Sequence, residues 1–168
     1  LRLYAHVTEG AKNLWDMPNI LAQKFPADEF TTTTKLSFTP NPKLVNEEAG
    51  LVVLGLNYAN LKLKNTETGL VLINGICEKA DKGNKEQEEI IAKVNSGLIW
   101  LRVKIIKDAK CTFSYSLNGI DFTEIPNSFT AQPGKWTGAK IGIYAIGFNK
   151  INDTGYADFD WFRIEKNN

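Results

Sequence analysis

Few of the residues that serve redox or metal chemistry are present here. The chain has two cysteines, one histidine and one methionine in 168 residues. Cys77, Cys111 and His6 cannot supply the four ligands of a structural zinc site, and their spacing matches none. The two thiols read best as small buried hydrophobes; a disulfide would require the strand ends that carry them to meet within about 7 Å. An excess of charge of one sign is also missing. A net charge of +1 removes any electrostatic case for nucleic acid or an anionic membrane as partner. No apolar run approaches the roughly 18 residues of a helical membrane span, and no segment keeps a helical period over about three turns. No internal repeat is visible, so the chain is not itself a propeller or solenoid.

What the chain has is short alternating segments separated by turn residues. Its first residue is Leu1 and its one methionine is Met17. It is expected to be a single domain over residues 1–168, excised from a longer polypeptide, with any signal peptide upstream of it. Residues 1–7 alternate Leu1, Leu3, Ala5 and Val7 against Arg2, Tyr4 and His6. Residues 8–19 read as a loop carrying Trp15. Residues 30–38 include four consecutive threonines, whose β-branching favours extended backbone. Residues 50–57 are the most continuously apolar and suggest a central strand covered on both faces. Residues 80–89 read as a solvated charged loop, and the glutamates at 47, 48, 86, 88 and 89 as loop residues.

In residues 98–107, Ile99, Leu101, Val103 and Ile105 point inward against Trp100, Arg102, Lys104 and Ile106. Asn118–Gly119 is the strongest hairpin signal, because both positions tolerate positive φ. Residues 129–134 read as a loop. At the end of the chain, residues 138–148 and 155–164 are expected to form a hairpin. In it Ala157, Phe159 and Trp161 make a core wall, opposite Tyr156, Asp158, Asp160 and Phe162. About twelve short strands with frequent turns specify an all-β, two-sheet antiparallel sandwich of jelly-roll type.

Candidate chemistry is sparse. A retaining glycosidase needs two carboxyls about 5–5.5 Å apart on one face. Only Asp158 and Asp160 alternate on a strand, and they read as partners for Arg102, Lys104 or Lys140. The alternative for Asp160 is a structural calcium ion, for which a hard carboxylate beside backbone carbonyls is suited. His6 has no positioned nucleophile. Gly142 and Gly147 are not followed by a helix and so form no phosphate loop. Trp15, Trp100, Trp136 and Phe148 lie in loops or at outward positions, where a ring could stack on a sugar or on another domain.

Five blocks in order carry a resemblance: NLWDMPNILAQKFPADEFTTTTKLSF, AGLVVLGLNYANLKL, CTFSYSLNGIDFTEI, GKWTGAKIGIY and GYADFDWFRIE. Together they resemble the C-terminal concanavalin A-like domain of β-xylosidases in glycoside hydrolase family 43. The resemblance implies an upstream catalytic propeller in the same polypeptide as partner, and a first strand or strands preceding Leu1. In some members the sandwich lends an aromatic side chain to the rim of the propeller's pocket. That makes Trp136, in GKWTGA, the first candidate for a substrate or domain contact, and Phe148 the second. The ending DFDWFRIE is also similar to the closing strand of lectin-like glucanases, in which the corresponding aspartate binds calcium; this similarity is the only reason to single out Asp160.

Three functions compete: a non-catalytic accessory domain of a xylan- or arabinan-degrading glycosidase, an autonomous carbohydrate-binding module, and a catalytic sandwich. The resemblance favours the first, with the chain not an enzyme on its own and no cofactor required. A plant-derived oligosaccharide is the candidate small partner, although the lack of a run of outward aromatics predicts weak binding or none by the domain alone; the sequence sets no localisation, an extracellular or periplasmic setting being favoured.

Overall fold

Twelve strands make up two antiparallel sheets in the computed structural model, which describes residues 1–148 and 154–167. The strands are β1 (Arg2–Tyr4), β2 (Ile20–Lys24), β3 (Phe30–Thr39), β4 (Glu48–Leu54), β5 (Tyr58–Thr66) and β6 (Gly69–Cys77), followed by β7 (Gln87–Lys93), β8 (Leu98–Ile106), β9 (Lys110–Ser116), β10 (Thr123–Thr130), β11 (Lys140–Ile146) and β12 (Tyr156–Glu165). Sheet A has the order β1-β12-β3-β8-β9-β10, and sheet B the order β2-β11-β4-β5-β6-β7. The core lies between them, where Phe30, Leu36, Ile99, Leu101, Val103, Phe113 and Phe159 of sheet A face Leu51, Leu61, Leu63, Leu72, Ile141 and Ile143 of sheet B. The alternation of β8 is as expected from its pattern, with all four inward residues fully buried.

Sheet B is covered on its outer side as well. A second apolar cluster there joins Leu14, Met17 and Ala80 to Val52, Tyr58, Cys77, Tyr144 and Ile146. Asn13 positions this cover. Its side-chain oxygen accepts from the Trp15 amide (2.8 Å), and its amide group donates to the carbonyls of Ala80 and Asn84 (3.0 and 2.8 Å). The apolar run of β4 is therefore buried on both faces, as its composition predicts, although the strand begins at Glu48. Cys77 and Cys111 are both free and buried, one on the outer side of sheet B and the other in the central core.

Three expectations are corrected. First, residues 138–148 and 155–164 do not form a hairpin: β11 pairs with β4 and β2, whereas β12 pairs with β3 and β1. The chain crosses between sheets there, and residues 149–154 between the two runs lie largely outside the described residues. Second, Trp161 is not a core residue. A bulge between Phe159 and Trp161 turns Trp161 to the outer face opposite Lys35, and Phe162 packs against the core instead. The Thr34 hydroxyl holds this bulge by donating to the Trp161 carbonyl at 2.8 Å, and the extra residue reverses the facing of everything after it. Third, residues 80–89 and 129–134 are not loops throughout: β7 begins at Gln87 and β10 runs to Thr130. Pro126 sits where the β10 register is irregular, at the sheet edge, where its missing N–H costs no ladder bond.

Candidate functional surfaces

The sequence scatters its glutamates among apparent loops, yet three of them converge on one lysine. Lys62 projects from β5 to the outer side of sheet B, and its Nζ lies 2.7 Å from Glu48, 2.6 Å from Glu86 and 2.7 Å from Glu88. Glu88 also binds Lys64 at 2.8 Å. The lysine and Glu48 are almost wholly enclosed, with side-chain exposures of 1% and 4%. Burial pushes the Glu48 carboxyl above the usual range, against the pull of Lys62. At Glu88 burial acts in the same direction, but Lys62 and Lys64 outweigh it and hold the carboxyl low. Burial would lower Lys62 itself, yet its three carboxylates keep it firmly charged. Tyr144 lies across Gly50 from Lys62 in register, and its buried hydroxyl is held neutral, chiefly by burial. The ammonium fills the space between the acids, so the arrangement is an ionic lock closing one face of the sheet.

Asp158 and Asp160 do not pair with Arg102, Lys104 or Lys140. Arg2 binds Asp158 with two hydrogen bonds, of 2.8 and 2.7 Å, and stacks over Tyr156 at 3.8 Å. Asp160, at the bulge, accepts from Lys35 at 2.5 Å. The Asp160 carboxylate is half-exposed and already carries an ammonium, and the described residues contain no group of three or more His, Cys, Asp or Glu arranged to hold a metal.

Trp136 and Phe148 are both exposed, at 95% and 51%, but they flank opposite ends of β11, whose seven residues span roughly 20 Å. They cannot line one sugar subsite. Trp136 borders a groove of about 260 Å³ with Trp15, Leu54 and Lys140. Lys135 lies 6.0 Å from the Trp15 ring and 3.5 Å from Asp81. The loop before Trp136 is fixed from below, since the Leu56 amide donates to the Pro133 carbonyl at 3.2 Å and Gln132 lies against Gly55, where no Cβ would fit. At the other end, Phe148 follows Gly147, whose amide donates to the His6 carbonyl at 3.1 Å. Nearby on β1 the exposed ring of Tyr4 meets His6 and Tyr156, with centroids 6.0 and 6.2 Å apart.

Similarity to known proteins agrees with this architecture. Residues 1–165 match the family model described as the β-xylosidase C-terminal concanavalin A-like domain. A non-reducing end α-L-arabinofuranosidase of Bacteroides ovatus is 26% identical over 161 residues, covering 88% of this chain and 28% of that protein. A β-xylosidase of Formosa agariphila is 40% identical over 53 residues, covering 32% of this chain and 9% of that protein. The chain thus spans less than a third of the length of these curated relatives. Among solved structures, a bifunctional GH43-CE protein of Bacteroides eggerthii superposes with a TM-score of 0.80 at 21% identity, over 99% of this chain and 21% of that one. A xylan β-1,4-xylosidase of Bacillus halodurans superposes with a TM-score of 0.79 at 18% identity, over 99% and 32%.

Proposed function

The chain belongs to the C-terminal concanavalin A-like domains of the family 43 glycoside hydrolases, and from that premise we propose that it is the part that packs on a catalytic domain and shapes its substrate pocket. The parent enzyme acts on oligosaccharides derived from xylan or arabinan, a reading supported by the names of the two curated relatives. One observation carries the packing: Trp136 is 95% exposed on a loop that is itself well anchored, beside a second tryptophan. A large ring held out by a fixed loop gains most from a cover, and aromatic anchors of this kind dominate interfaces. Because Phe148 lies at the far end of β11, docking at Trp136 leaves Phe148 outside the same contact.

The test is Trp136→Ala in the intact polypeptide. It should separate the thermal transitions of the sandwich and the catalytic domain, or raise KM for an aryl xyloside or arabinoside, and leave the sandwich folded. If Trp136→Ala changes neither property while Phe148→Ala changes both, the docking face is the His6–Phe148 end. If neither variant changes either property, the packing proposal fails.

A further inference from the structure

Among the described residues, the outer face of sheet A, unlike that of sheet B, has no apolar cover. Across β12, β3, β8, β9 and β10 it forms a trough of about 540 Å³. Its floor is made of hydroxyls, Thr31, Thr112 and Ser114, and its rim carries Arg102, Lys104 and Lys166 together with Glu124 and Glu165. Arg102 is the prepared element. Its Nε donates to the buried Thr33 hydroxyl at 3.0 Å, and its guanidinium lies flat on the Phe122 ring, 3.4 Å from the centroid. The fork is therefore held from two directions while its terminal nitrogens have no acceptor among the described residues. Glu165 is near enough to act on Arg102 through space, but forms no ion pair with it, and neither Lys104 nor Lys166 is paired among the described residues.

We propose that this trough binds an acidic oligosaccharide, with the carboxylate of a uronic acid held by Arg102 and Lys104 and the sugar hydroxyls on the threonine and serine floor. A rigid, unpaired guanidinium fork matches a carboxylate in bidentate geometry. The two glutamates on the rim accept from hydroxyls and repel polyanions, which selects a hydroxyl-rich ligand of low charge over phosphate chains or nucleic acid. A protein partner is disfavoured because Arg102 already covers the Phe122 ring and the lining of the trough is more polar than apolar, unlike the apolar core of an interface. The proposal is independent of docking through Trp136, which lies beyond sheet B on another part of the surface.

Calorimetric titration of the intact polypeptide tests it with three probes: a xylo-oligosaccharide carrying one glucuronic acid, the neutral xylo-oligosaccharide of equal length, and trigalacturonate. The acidic xylo-oligosaccharide should bind at least about tenfold more tightly than the neutral one at low salt, and the advantage should shrink as salt screens the pair. Arg102→Met should abolish the advantage and Lys104→Ala should reduce it. Trigalacturonate binding with the same dependence means that the sugar carboxylate alone is read; binding of only the acidic xylo-oligosaccharide means that the xylose backbone is read too. Either result supports the site. Equal binding of acidic and neutral probes overturns it, as does an advantage that survives both variants, which places the acid elsewhere, such as in the catalytic pocket. A change of oligomeric state or domain docking in Arg102→Met, without loss of acid preference, assigns the face to a protein contact and also overturns the proposal. Should Arg102→Met not fold, the exposed Lys104→Ala variant decides alone, and an unchanged acid preference rejects the site.

Discussion

Replacing Lys62 by methionine removes the one charge that three acids share and leaves the aliphatic stem in place. The ammonium is 1% exposed and lies 2.7, 2.6 and 2.7 Å from Glu48, Glu86 and Glu88. Glu48, at 4% exposure, cannot recover the lost interaction from water, so the variant must either hold an uncompensated buried charge or protonate it. Breaking a buried pair from one side costs about 3–5 kcal/mol. In a domain of this size that lowers Tm by roughly 10 °C.

The pH dependence identifies the cause. Glu48 has a raised folded-state pKa, so its contribution is fully present below the ordinary glutamate value and is lost as pH rises through the folded value. Without Lys62 that pKa rises further, and the penalty of Lys62→Met should shrink toward pH 5 and grow above neutrality. Glu88 has the opposite sign. Its lowered pKa in the native protein gives a contribution present above the ordinary value and lost as pH falls through the lowered one. In the variant this acid-side loss should weaken, because Lys62 is one of its causes. Denaturant titrations of both proteins between about pH 3 and 8 measure all of this, and Lys62→Met/Glu48→Gln should regain part of the stability. A penalty below about 1 kcal/mol at pH 7, or one that does not vary with pH, refutes the ionic lock.

Other outcomes follow from single positions. Gly119 has φ +78° and its Cβ would lie 2.8 Å from the Trp100 ring, so Gly119→Ala should destabilise by about 1 kcal/mol or more; an unchanged denaturation midpoint would mean that the loop shifts freely. The Cys111 thiol is pushed up to about 12 by burial, and burial raises Cys77 as well. Native protein at pH 8 should therefore resist iodoacetamide until denaturant is added, and rapid native labelling contradicts that. Arg2→Ala should leave the thermal midpoint nearly unchanged, because the Arg2–Asp158 pair is 46% and 35% exposed; a marked drop in thermal scans would show that the short β1 depends on it.

Facing was legible wherever alternation was uninterrupted, as in β8, where Ile99, Leu101, Val103 and Ile105 pack inward. Alternation identifies a face and not a partner, so it could not show that β11 and β12 belong to different sheets. Nor could it resolve the sequence FDWF. Either Trp161 or Phe162 could follow Phe159 inward, and the choice depends on a bulge fixed by Thr34, distant in sequence. The enclosure of Lys62 was not legible, because the acids that surround it come from β4, β7 and the residue before β7. The exposure of Trp136 was legible from its polar neighbours, whereas its distance from Phe148 required the direction of β11.

The asymmetry of the two sheets limits where this sandwich can act. On sheet B, the loop carrying Leu14 and Met17 covers one half of the outer face and the Lys62 cluster seals the centre. A ligand approaching that side would have to displace apolar packing as well as an ammonium bound to three carboxylates. Sheet A offers the reverse: a face without apolar cover, with a hydroxyl floor and an arginine held in place but not paired. The ends of β11 carry exposed aromatics, with Trp136 beyond one end and Phe148 beyond the other. Docking of the proposed catalytic domain at one end of β11 would therefore leave the sheet A trough open to the proposed acidic ligand.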